Sequence, residues 1–248
     1  MNSTLKNPSL KRALVTGGSG GIGAAICRQL AIDGYQVIVH ANSHLDAAQS
    51  LCGEITAAGG AADAHAFDIT DAAATTAALE SLLEAGPIQI LVNNAGVHDD
   101  AVFPGMSALQ WQRVIDVNIH GFFNVTQPLM MPMLRTRWGR IVNISSIAAI
   151  TGNRGQVNYS AAKGALHSAT KSLALEVASR GVTVNAVAPG IISTAMSEAS
   201  FDATLIEKLV PMKRAGTPAE VADLVSFLCS QKAGYITGQI LSINGGMI

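Results

Sequence analysis

Short apolar runs alternate with longer amphipathic or alanine-rich segments along most of the chain. Several of the runs are apolar at consecutive positions, which is typical of strands covered on both faces. They predict strands at Arg12–Thr16, Gln36–Ala41, Ala64–Asp68, Ile88–Asn93, Arg140–Ser145, Val182–Ala188 and Ile240–Asn244. The segments between them predict helices near residues 21–33, 44–58, 71–85, 107–135, 156–180 and 218–230.

The order of these elements predicts an α/β fold. Strands that alternate with helices form a doubly wound parallel sheet with right-handed crossovers and helices on both faces. No internal repeat and no linker-like change of composition divides the chain, so residues 1–248 are expected to form one domain with a polar tail over residues 1–10. Thr217 followed by Pro218 is typical of a helix N-cap and first turn.

Composition narrows the classes of partner. Only 13% of the residues are charged, against about a quarter in ordinary soluble domains, which favours a chain that buries surface between subunits. The net charge of −1 gives no reason to expect nucleic acid or an anionic membrane as a partner. The N-terminal residues lack the apolar core of a secretory signal, no apolar run is long enough for a membrane helix, and we expect a cytoplasmic protein.

The cysteines do not form a recognisable disulfide or metal motif. Cys27, Cys52 and Cys229 are far apart and odd in number, which favours reduced, buried thiols. His40 and His44 could conceivably form a metal pair, but solvated loop histidines are the simpler interpretation, and we expect no metal site.

A glycine-rich loop joins the first strand to the first helix. It reads Thr16-Gly17-Gly18-Ser19-Gly20-Gly21-Ile22-Gly23 and contains the spacing G-x-G-x-x-G. Glycines let a backbone approach a ligand closely, and the helix N-terminus offers N–H groups to a pyrophosphate. In this strand–loop–helix context the motif predicts a dinucleotide site. The alternative is a tight turn without a ligand. No lysine follows the glycines, which disfavours a nucleoside-triphosphate loop.

The end of the second strand bears on the choice of dinucleotide. NAD sites usually place a carboxylate there to bind the ribose 2′-hydroxyl. This chain has His40, Ala41, Asn42 and Ser43 instead. With no carboxylate to repel a 2′-phosphate, the sequence favours NADP(H) over NAD, although no arginine marks this position and NAD stays open.

Tyr159 and Lys163 are four residues apart with only small residues between them, so on a helix they share one face. Other motifs occur in order around them: Asn93-Asn94-Ala95-Gly96, Asn118, Ser145-Ser146 and Pro189-Gly190. Together with the glycine loop, this set resembles the short-chain dehydrogenase/reductase family from Lys11 to Ile248. Within that family the chain looks most like the 3-oxoacyl-acyl-carrier-protein reductases, including the ending from Ile236 to Gly246.

The resemblance implies a single-domain Rossmann fold with a seven-stranded sheet and a catalytic tetrad of Asn118, Ser146, Tyr159 and Lys163. Either Ser145 or Ser146 could be the catalytic serine, and the family's usual spacing before the tyrosine selects Ser146. The cofactor-binding residues that the resemblance and the glycine loop imply are Gly17, Ser19, Gly20, Gly21, Ile22, Gly23, His40, Asn42, Ser43, Asp68, Ile69, Asn94, Ala95, Gly96, Tyr159, Lys163, Pro189, Gly190 and Ile192.

The chemistry explains the pairing of a phenol with an ammonium. Hydride reduction of a ketone leaves an alkoxide that needs a proton, and an ordinary tyrosine has a pKa near about 10. Two unit charges about 4 Å apart interact by about 4 kcal/mol at an effective dielectric of about 20, so Lys163 is expected to lower the pKa of Tyr159 toward neutrality. Ser146 is expected to bind the carbonyl oxygen, and Asn118 to hold a water by Lys163.

The substrate is the least determined part of this interpretation. Arg137 and Arg180 match positions where the reductases of carrier-protein substrates place a basic pair, so the resemblance implies that they dock an acidic carrier protein. Alternatively, basic residues near helix C-termini simply interact favourably with the helix dipole. Residues 191–210 are expected to form a substrate lid with few charges. The family implies an NADPH-dependent 3-oxoacyl reductase and a homotetramer. The alternatives are a dehydrogenase of a small alcohol, sugar or hydroxysteroid, and a non-catalytic dinucleotide-sensing module.

Overall fold

The sheet is the centre of the molecule. The computed structural model describes residues 10–194 and 203–248. Its strands are β1 (Arg12–Val15), β2 (Gln36–Ala41), β3 (Ala61–Ala66), β4 (Ile88–Asn93), β5 (Gly139–Ile144), β6 (Val182–Pro189) and β7 (Ile240–Ile243). They form one seven-stranded sheet in the order β3-β2-β1-β4-β5-β6-β7, and all neighbouring strands are parallel. The predicted α/β fold and parallel sheet are therefore confirmed.

Helices cover both faces of this sheet. Those in the described residues are α1 (Gly21–Ile32), α2 (Leu45–Ala57), α3 (Ala72–Glu84), α4 (Ala108–Ile115), α5 (Gly121–Arg135), α6 (Ala148–Thr151), α7 (Val157–Val177), α8 (Ala203–Leu209) and α9 (Pro218–Cys229). One apolar cluster joins the sheet to α1, α2 and α9, and a second joins it to α3, α5 and α7. In β1, Ala13 and Val15 face the first cluster and Leu14 the second. Consecutive strand residues point to opposite faces, which explains the unbroken apolar runs.

Some element boundaries differ from the sequence prediction. The edge strand β3 starts and ends earlier than predicted, because its pairing with β2 runs from Gln36–Ala61 to Ala41–Ala66. Its alanines, aspartate and histidine have low strand propensity, so the partner strand sets its bounds. The predicted helix over 107–135 is interrupted by a π-helical turn at Asp116–His120. At α9 the predicted cap is present, because Thr217 forms a capping box with Glu220.

The strand order places a crevice at the carboxyl edge of the sheet. The chain continues from β1 outward to β2 and β3, and then crosses back to β4 on the other side of β1. Ligands of open α/β sheets bind at such a switch point, beyond the carboxyl ends of the strands. The loops after β1, β4, β5 and β6 all meet there.

Some of the predicted segments lie partly outside the described residues. Of the expected lid at 191–210, residues 195–202 lie outside the described residues, as do residues 1–9 of the expected tail. Part of the remainder forms α8. Within residues 10–194 and 203–248, no helix combines the length and apolarity needed to cross a membrane, and no three His, Cys, Asp or Glu side chains are grouped as metal ligands. The cysteines are free and buried.

Candidate active site

The glycine loop forms the first wall of the site. Gly17 has a φ of +60°, and a Cβ there would come within 3.0 Å of the Cα of Ala95. A Cβ at Gly23 would overlap the carbonyl oxygen of Gly17, so this glycine allows α1 to pack against the loop. The N-cap residue of α1 is Gly20, which has no side chain that could cap the backbone N–H groups of the first turn. Those first-turn amides suit an anionic ligand.

Thr16 and Asn94 fasten the loop to the end of β4. The Thr16 hydroxyl accepts hydrogen bonds from the backbone N–H groups of Asn94 and Ala95, both at 3.0 Å. The side-chain amide of Asn94 donates to the carbonyl oxygens of Thr16 at 2.9 Å and Gly17 at 3.0 Å. Asn94 was predicted to bind a cofactor, and its side-chain N–H groups donate hydrogen bonds to the glycine loop. Thr16 was missed by the sequence analysis, although its place at the end of β1 was a signal.

His40 fastens the same loop from the other side. Its Nδ1 accepts from the N–H of Gly17 at 3.1 Å, and its Nε2–H donates to the carbonyl oxygen of Phe67 at 2.8 Å. The side chain is 1% exposed, and burial lowers its pKa, opposed by the Phe67 hydrogen bond and by Asp68. The ring is therefore neutral, with a fixed tautomer. His40 lines the cavity expected to hold a cofactor, and both of its ring nitrogens bind the protein, so its predicted role at the cofactor stays a prediction.

A cavity of about 520 Å³ lies beside these residues at the carboxyl edge. Seven of the predicted cofactor residues line it: Gly17, His40, Asn42, Asp68, Ile69, Ala95 and Gly96. A smaller cavity of about 170 Å³ is lined by a further group from the predicted set, namely Ile22, Asn94, Tyr159, Lys163, Pro189, Gly190 and Ile192, together with Gly96. Ser19, Gly20, Gly21, Gly23 and Ser43 line neither cavity, and the first four belong to the loop and helix start described above.

The π-helical turn places Asn118 in the site. Its side-chain amide donates to the carbonyl oxygens of Val97 and Val114, both at 2.8 Å. Its Oδ1 is buried and has no hydrogen-bond partner within the described residues. A Cβ at Gly96 would lie 2.7 Å from that oxygen and 2.9 Å from Nζ of Lys163. Asn118 is 2% exposed, so its side chain lies inside the protein next to Lys163.

Lys163 is buried beneath the same space. Its side chain is on α7, is 3% exposed, and donates from Nζ to the carbonyl oxygen of Ile144 at 2.9 Å. Burial lowers its pKa to about 8. The ammonium is therefore mostly protonated at neutral pH and loses its charge within the mildly alkaline range.

The two serines after β5 have different environments. The Ser145 hydroxyl is buried, donates to the carbonyl oxygen of Lys163 at 3.2 Å, and lies 2.7 Å from Nε2 of His167. These contacts tie β5 to α7. Ser146 lines two cavities together with Tyr159, and its hydroxyl lowers the pKa of the phenol. The geometry thus favours Ser146 as the serine that faces a substrate, and Ser145 as a structural residue.

Tyr159 does not have the acidic phenol that the sequence argument expected. Burial raises its pKa, the Ser146 hydrogen bond opposes that rise, and the charge of Asp100 adds to it. Nζ of Lys163 lies 5.8 Å from the centre of the phenol ring and is directed to a backbone oxygen. The expected net lowering of this pKa is wrong for this structure, because burial of the phenol dominates. A raised pKa makes Tyr159 a weaker acid, but an alkoxide is a stronger base than a phenolate, so the phenol can still protonate it.

A third cavity, of about 510 Å³, is also lined by Tyr159 and Ser146, and we call it the amphipathic cavity. One wall is apolar, with Ile147, Ala148, Ile191, Ile192, Leu209 and Met247. The facing wall is polar and carries His98, Asp100, Asn153 and Gln156. Asn158 holds the backbone at Tyr159. Its Oδ1 accepts a hydrogen bond from the N–H of Tyr159 at 2.8 Å, and its Nδ2 donates to the backbone carbonyl of Asp99 at 2.9 Å. The sequence analysis did not assign Asn158 a role, although it adjoins the tyrosine.

The two arginines that were expected to dock a carrier protein lie away from the three cavities. Arg137 and Arg180 are exposed and directly precede β5 and β6, so they flank the amino edge of the sheet. A Cβ at Gly181 would touch the backbone carbonyl of Arg137, which shows that the two loops adjoin. The structure therefore pairs these arginines, but at the edge opposite the three cavities. Carrier docking stays a prediction.

The residues present fit a nicotinamide dinucleotide. The glycine loop, the uncapped start of α1 and the lining of the 520 Å³ cavity are suited to its phosphates and adenosine. Oδ1 of Asn118, which has no hydrogen-bond partner among the described residues, and the buried Nζ of Lys163 both lie next to Gly96, where a bound ligand could form hydrogen bonds with them. No carboxylate is present over residues 40–43.

Comparison with known proteins gives a consistent family. Residues 11–204 match the family model described as short chain dehydrogenase. The chain is 45% identical to the nodulation protein G of Azospirillum brasilense, over 96% of this chain and 98% of that protein. It is 45% identical to the 3-oxoacyl-[acyl-carrier-protein] reductase FabG of Aquifex aeolicus, over 96% and 97%. It is 42% identical to the acetoacetyl-CoA reductase of Cupriavidus necator, over 95% and 97%.

Proposed function

Since this chain belongs to the short-chain dehydrogenase/reductase family of NAD(P)(H)-dependent oxidoreductases, we propose that it reduces 3-oxoacyl thioesters to 3-hydroxyacyl thioesters with NADPH. The physiological substrate in this proposal is bound to an acyl carrier protein, and the setting is cytoplasmic fatty acid biosynthesis. Relatives named as 3-oxoacyl-[acyl-carrier-protein] reductase and as acetoacetyl-CoA reductase share this 3-oxoacyl chemistry.

One pair of side chains carries the catalytic part of the proposal. The Ser146 hydroxyl acts on the phenol of Tyr159 and lowers its pKa, and both residues line the small cavity by Lys163 as well as the 510 Å³ cavity. A ketone that enters the amphipathic cavity can therefore place its oxygen against both hydroxyls. The nicotinamide cofactor supplies the hydride when it is bound.

The first proposed role of the side chains is to hold the cofactor. The loop from Gly17 to Gly23 and the start of α1 would bind the pyrophosphate. Asp68 and Ile69 would flank the adenine, and Asn42 the adenosine ribose and its 2′-phosphate. Gly96, Lys163, Pro189, Gly190 and Ile192 would surround the nicotinamide end, where they line the small cavity.

The second proposed role is to deliver a proton. When the ketone is reduced, its oxygen would gain negative charge, and the phenol of Tyr159 would give that oxygen its proton. Ser146 donates a hydrogen bond to the same oxygen and stabilises the developing charge. The phenol is protonated at neutral pH, so the proton is present at the start of each turnover.

The third proposed role is to restore that proton. The phenolate left after the transfer is stabilised by the ammonium of Lys163 and is reprotonated through it. Asn118 directs its unpaired Oδ1 toward the space by Gly96 and Lys163, where it can hold a water that links Lys163 to solvent. These four residues form the proposed tetrad.

A subunit interface completes the proposal. Large apolar side chains are exposed on α5 and α7, among them Phe123 at 61%, Met131 at 59% and Leu175 at 85%. Exposed apolar surface of this kind is typical of faces that pack against another protein. Together with the low charge content, it supports a homotetramer, which light scattering of the purified protein would test.

The experiment that tests the function is a substrate panel. Oxidation of NADPH and NADH is followed with acetoacetyl-carrier protein, acetoacetyl-CoA, a hydroxysteroid ketone and a small sugar ketone. We expect the highest kcat/KM for the acetoacetyl thioesters with NADPH. Preference for the steroid or sugar would contradict the proposal in favour of another dehydrogenase, and NADPH binding without turnover of any ketone would favour a dinucleotide sensor.

A further inference from the structure

The amphipathic cavity combines two kinds of lining around the proposed proton donor. Apolar residues, among them Ile147, Leu209 and Met247, line part of it. Polar side chains line another part, namely those of His98, Asp100, Asn153 and Gln156. Because Tyr159 lines the same cavity, a substrate held there has both apolar surface and hydrogen-bonding groups within reach.

The polar side chains form a chain of hydrogen bonds that ends at His98. The amide of Asn153 donates to the side-chain oxygen of Gln156 at 2.9 Å, and the amide of Gln156 donates to Oδ2 of Asp100 at 2.9 Å. Oδ1 of Asp100 lies 3.0 Å from Nδ1 of His98. Since a carboxylate only accepts hydrogen bonds, Nδ1 carries a proton, and in the neutral imidazole Nε2 is therefore an acceptor.

The acceptor nitrogen of His98 is left for a ligand. Within residues 10–194 and 203–248, Nε2 makes no hydrogen bond, and the side chain is 39% exposed. The centre of the His98 ring lies 6.1 Å from that of Tyr159. An imidazole is ordinarily mostly neutral at neutral pH, so His98 offers a lone pair near the reacting end of a substrate.

The distance between His98 and Tyr159 is fixed by the backbone around them. Asn158 donates a hydrogen bond to the backbone carbonyl of Asp99 at 2.9 Å and accepts one from the N–H of Tyr159 at 2.8 Å. The side chain of Asp99 also accepts from the Gln110 amide at 2.8 Å. One asparagine thus ties the loop that carries His98 to the helix that carries Tyr159, and groups held in this way bind a ligand at a small entropic cost.

An acceptor at this position requires a donor on the ligand. The acyl part of a 3-oxoacyl thioester consists of hydrocarbon and two carbonyl groups, and in its keto form none of these donates a hydrogen bond. The nearest donor is the amide N–H of the pantetheine arm, which follows the sulfur after two methylene groups. At about 3.5 Å for every three bonds of extended chain, that nitrogen lies about 7 Å from the ketone carbon, which is comparable to the separation of the two rings.

We propose that the neutral imidazole of His98, oriented by Asp100, accepts a hydrogen bond from the first amide N–H of the pantetheine arm, while the acyl chain lies against the apolar residues of the cavity. The inference rests on the proposed function and adds the residue that recognises the arm instead of the acyl group. Carrier-protein and CoA thioesters share this arm, so the contact serves both. A site that pairs with a substrate N–H discriminates against an analogue that lacks it.

The test replaces the amide by an ester in a short substrate. The N-acetylcysteamine thioester of acetoacetate carries the amide N–H, and the S-(2-acetoxyethyl) thioester has an oxygen in its place. The ratio of kcat/KM for the amide to that for the ester is measured with NADPH at neutral pH. We expect the wild type to prefer the amide by about 3- to 10-fold, as one neutral hydrogen bond predicts. His98→Leu should abolish the preference, and His98→Gln, which keeps an acceptor, should retain part of it.

A second histidine–aspartate pair provides the matched control. His120 lies 2.8 Å from Asp116 and does not line the amphipathic cavity, so His120→Leu should keep the wild-type ratio. Thermal melting and NADPH fluorescence establish that each variant is folded. Equal kcat/KM for both thioesters in the wild type, or a wild-type ratio in His98→Leu, would overturn the inference and leave the proposed function standing. A wild type that reduces neither thioester would overturn the proposed function, and the inference with it.

Discussion

The backbone N–H of Gly17 donates a hydrogen bond to Nδ1 of His40 at 3.1 Å, so the first glycine of the cofactor loop is held by the neighbouring strand. The next amide, that of Gly18, donates to the backbone carbonyl of His40 at 2.8 Å. One residue of β2 thus fixes two successive amides of the loop. The arrangement requires a neutral imidazole, because a proton on Nδ1 would face the N–H of Gly17.

Acidification is expected to weaken cofactor binding through His40. Burial lowers the pKa of His40 below its ordinary 6.5, and Asp68 and His65 are the titratable groups that act on it there. The unfolded chain then binds more protons than the folded one between the lowered pKa and 6.5, so the free energy of unfolding decreases as the pH falls through that window. Dissociation constants for NADPH should rise by up to about tenfold per pH unit below the lowered pKa.

Fluorescence titration of NADPH between about pH 5 and pH 8 measures this effect, with the 6.5 of an ordinary histidine as reference. His40→Gln keeps an acceptor and a donor and should flatten the dependence. His65→Gln, which changes the register partner of His40 on β3, should keep a pH dependence of the same slope and raise its midpoint, because His65 lowers the pKa of His40. An unchanged slope in His40→Gln would contradict the prediction.

Removal of the phenol hydroxyl is expected to stop turnover. Tyr159→Phe should lower kcat by about 10²- to 10⁴-fold, the usual contribution of a general acid, while the dissociation constant for NADPH changes little. Tyr235→Phe is the matched control, since Tyr235 is fully exposed. Stopped-flow and steady-state oxidation of NADPH measure the loss. Wild-type turnover in Tyr159→Phe would eliminate Tyr159 as the acid.

The activity is expected to fall on the alkaline side. Burial lowers the pKa of Lys163 to about 8, so above that pH the side chain loses the charge that stabilises the phenolate and supplies its next proton. The profile of kcat/KM against pH should therefore descend through an apparent pKa of about 8. Lys171→Met, on an exposed position of the same helix, should leave the profile as it is. Constant kcat/KM to about pH 10 would count against the assigned role of Lys163.

A carboxylate at the end of β2 is expected to change the cofactor preference. Asn42 lines the 520 Å³ cavity, and Asn42→Asp places a negative charge where a 2′-phosphate is proposed to bind. Since each tenfold change in affinity is about 1.4 kcal/mol and charge repulsion at short range exceeds that, the ratio of kcat/KM for NADPH to that for NADH should fall at least about tenfold. Asn42→Ala separates loss of the amide from the added charge. A constant ratio would show that the 2′-phosphate binds elsewhere.

Reversal of the paired arginines is expected to affect a carrier-bound substrate selectively. Arg137→Glu/Arg180→Glu should raise KM for acetoacetyl-carrier protein by about tenfold and leave that for acetoacetyl-CoA nearly unchanged. Because the pair lies at the amino edge of the sheet, docking there would have to serve a cavity of another subunit, and the effect should require the oligomer. Arg28→Glu/Lys232→Glu makes the same change of net charge elsewhere. Equal changes for both substrates would remove the docking role.

Local sequence was sufficient for the outline of the fold. Consecutive apolar residues in β1, β4 and β5 could only belong to strands buried on both faces, and Thr217 with Pro218 marked the start of α9. Edge strand β3 was placed too late, because its position depends on its pairing with β2 and not on its own residues. The π-helical turn at Asp116–His120 was also missed, because one irregular turn does not change the periodicity of side chains enough to be predicted.

The reactive residues, and the convergence of their strands and loops at one edge of a parallel sheet, could be predicted from the chain, because hydrophobic periodicity and glycine spacing are local properties. The role of each side chain depends on contacts that form on folding. In the folded protein His40 binds the glycine loop and Ser145 binds α7. Ser146 acts on Tyr159, and burial raises the pKa of Tyr159 where a nearby lysine had been expected to lower it. Hydrogen-bond partners and burial come from segments far apart in the chain, and they set both the orientation and the protonation of a side chain.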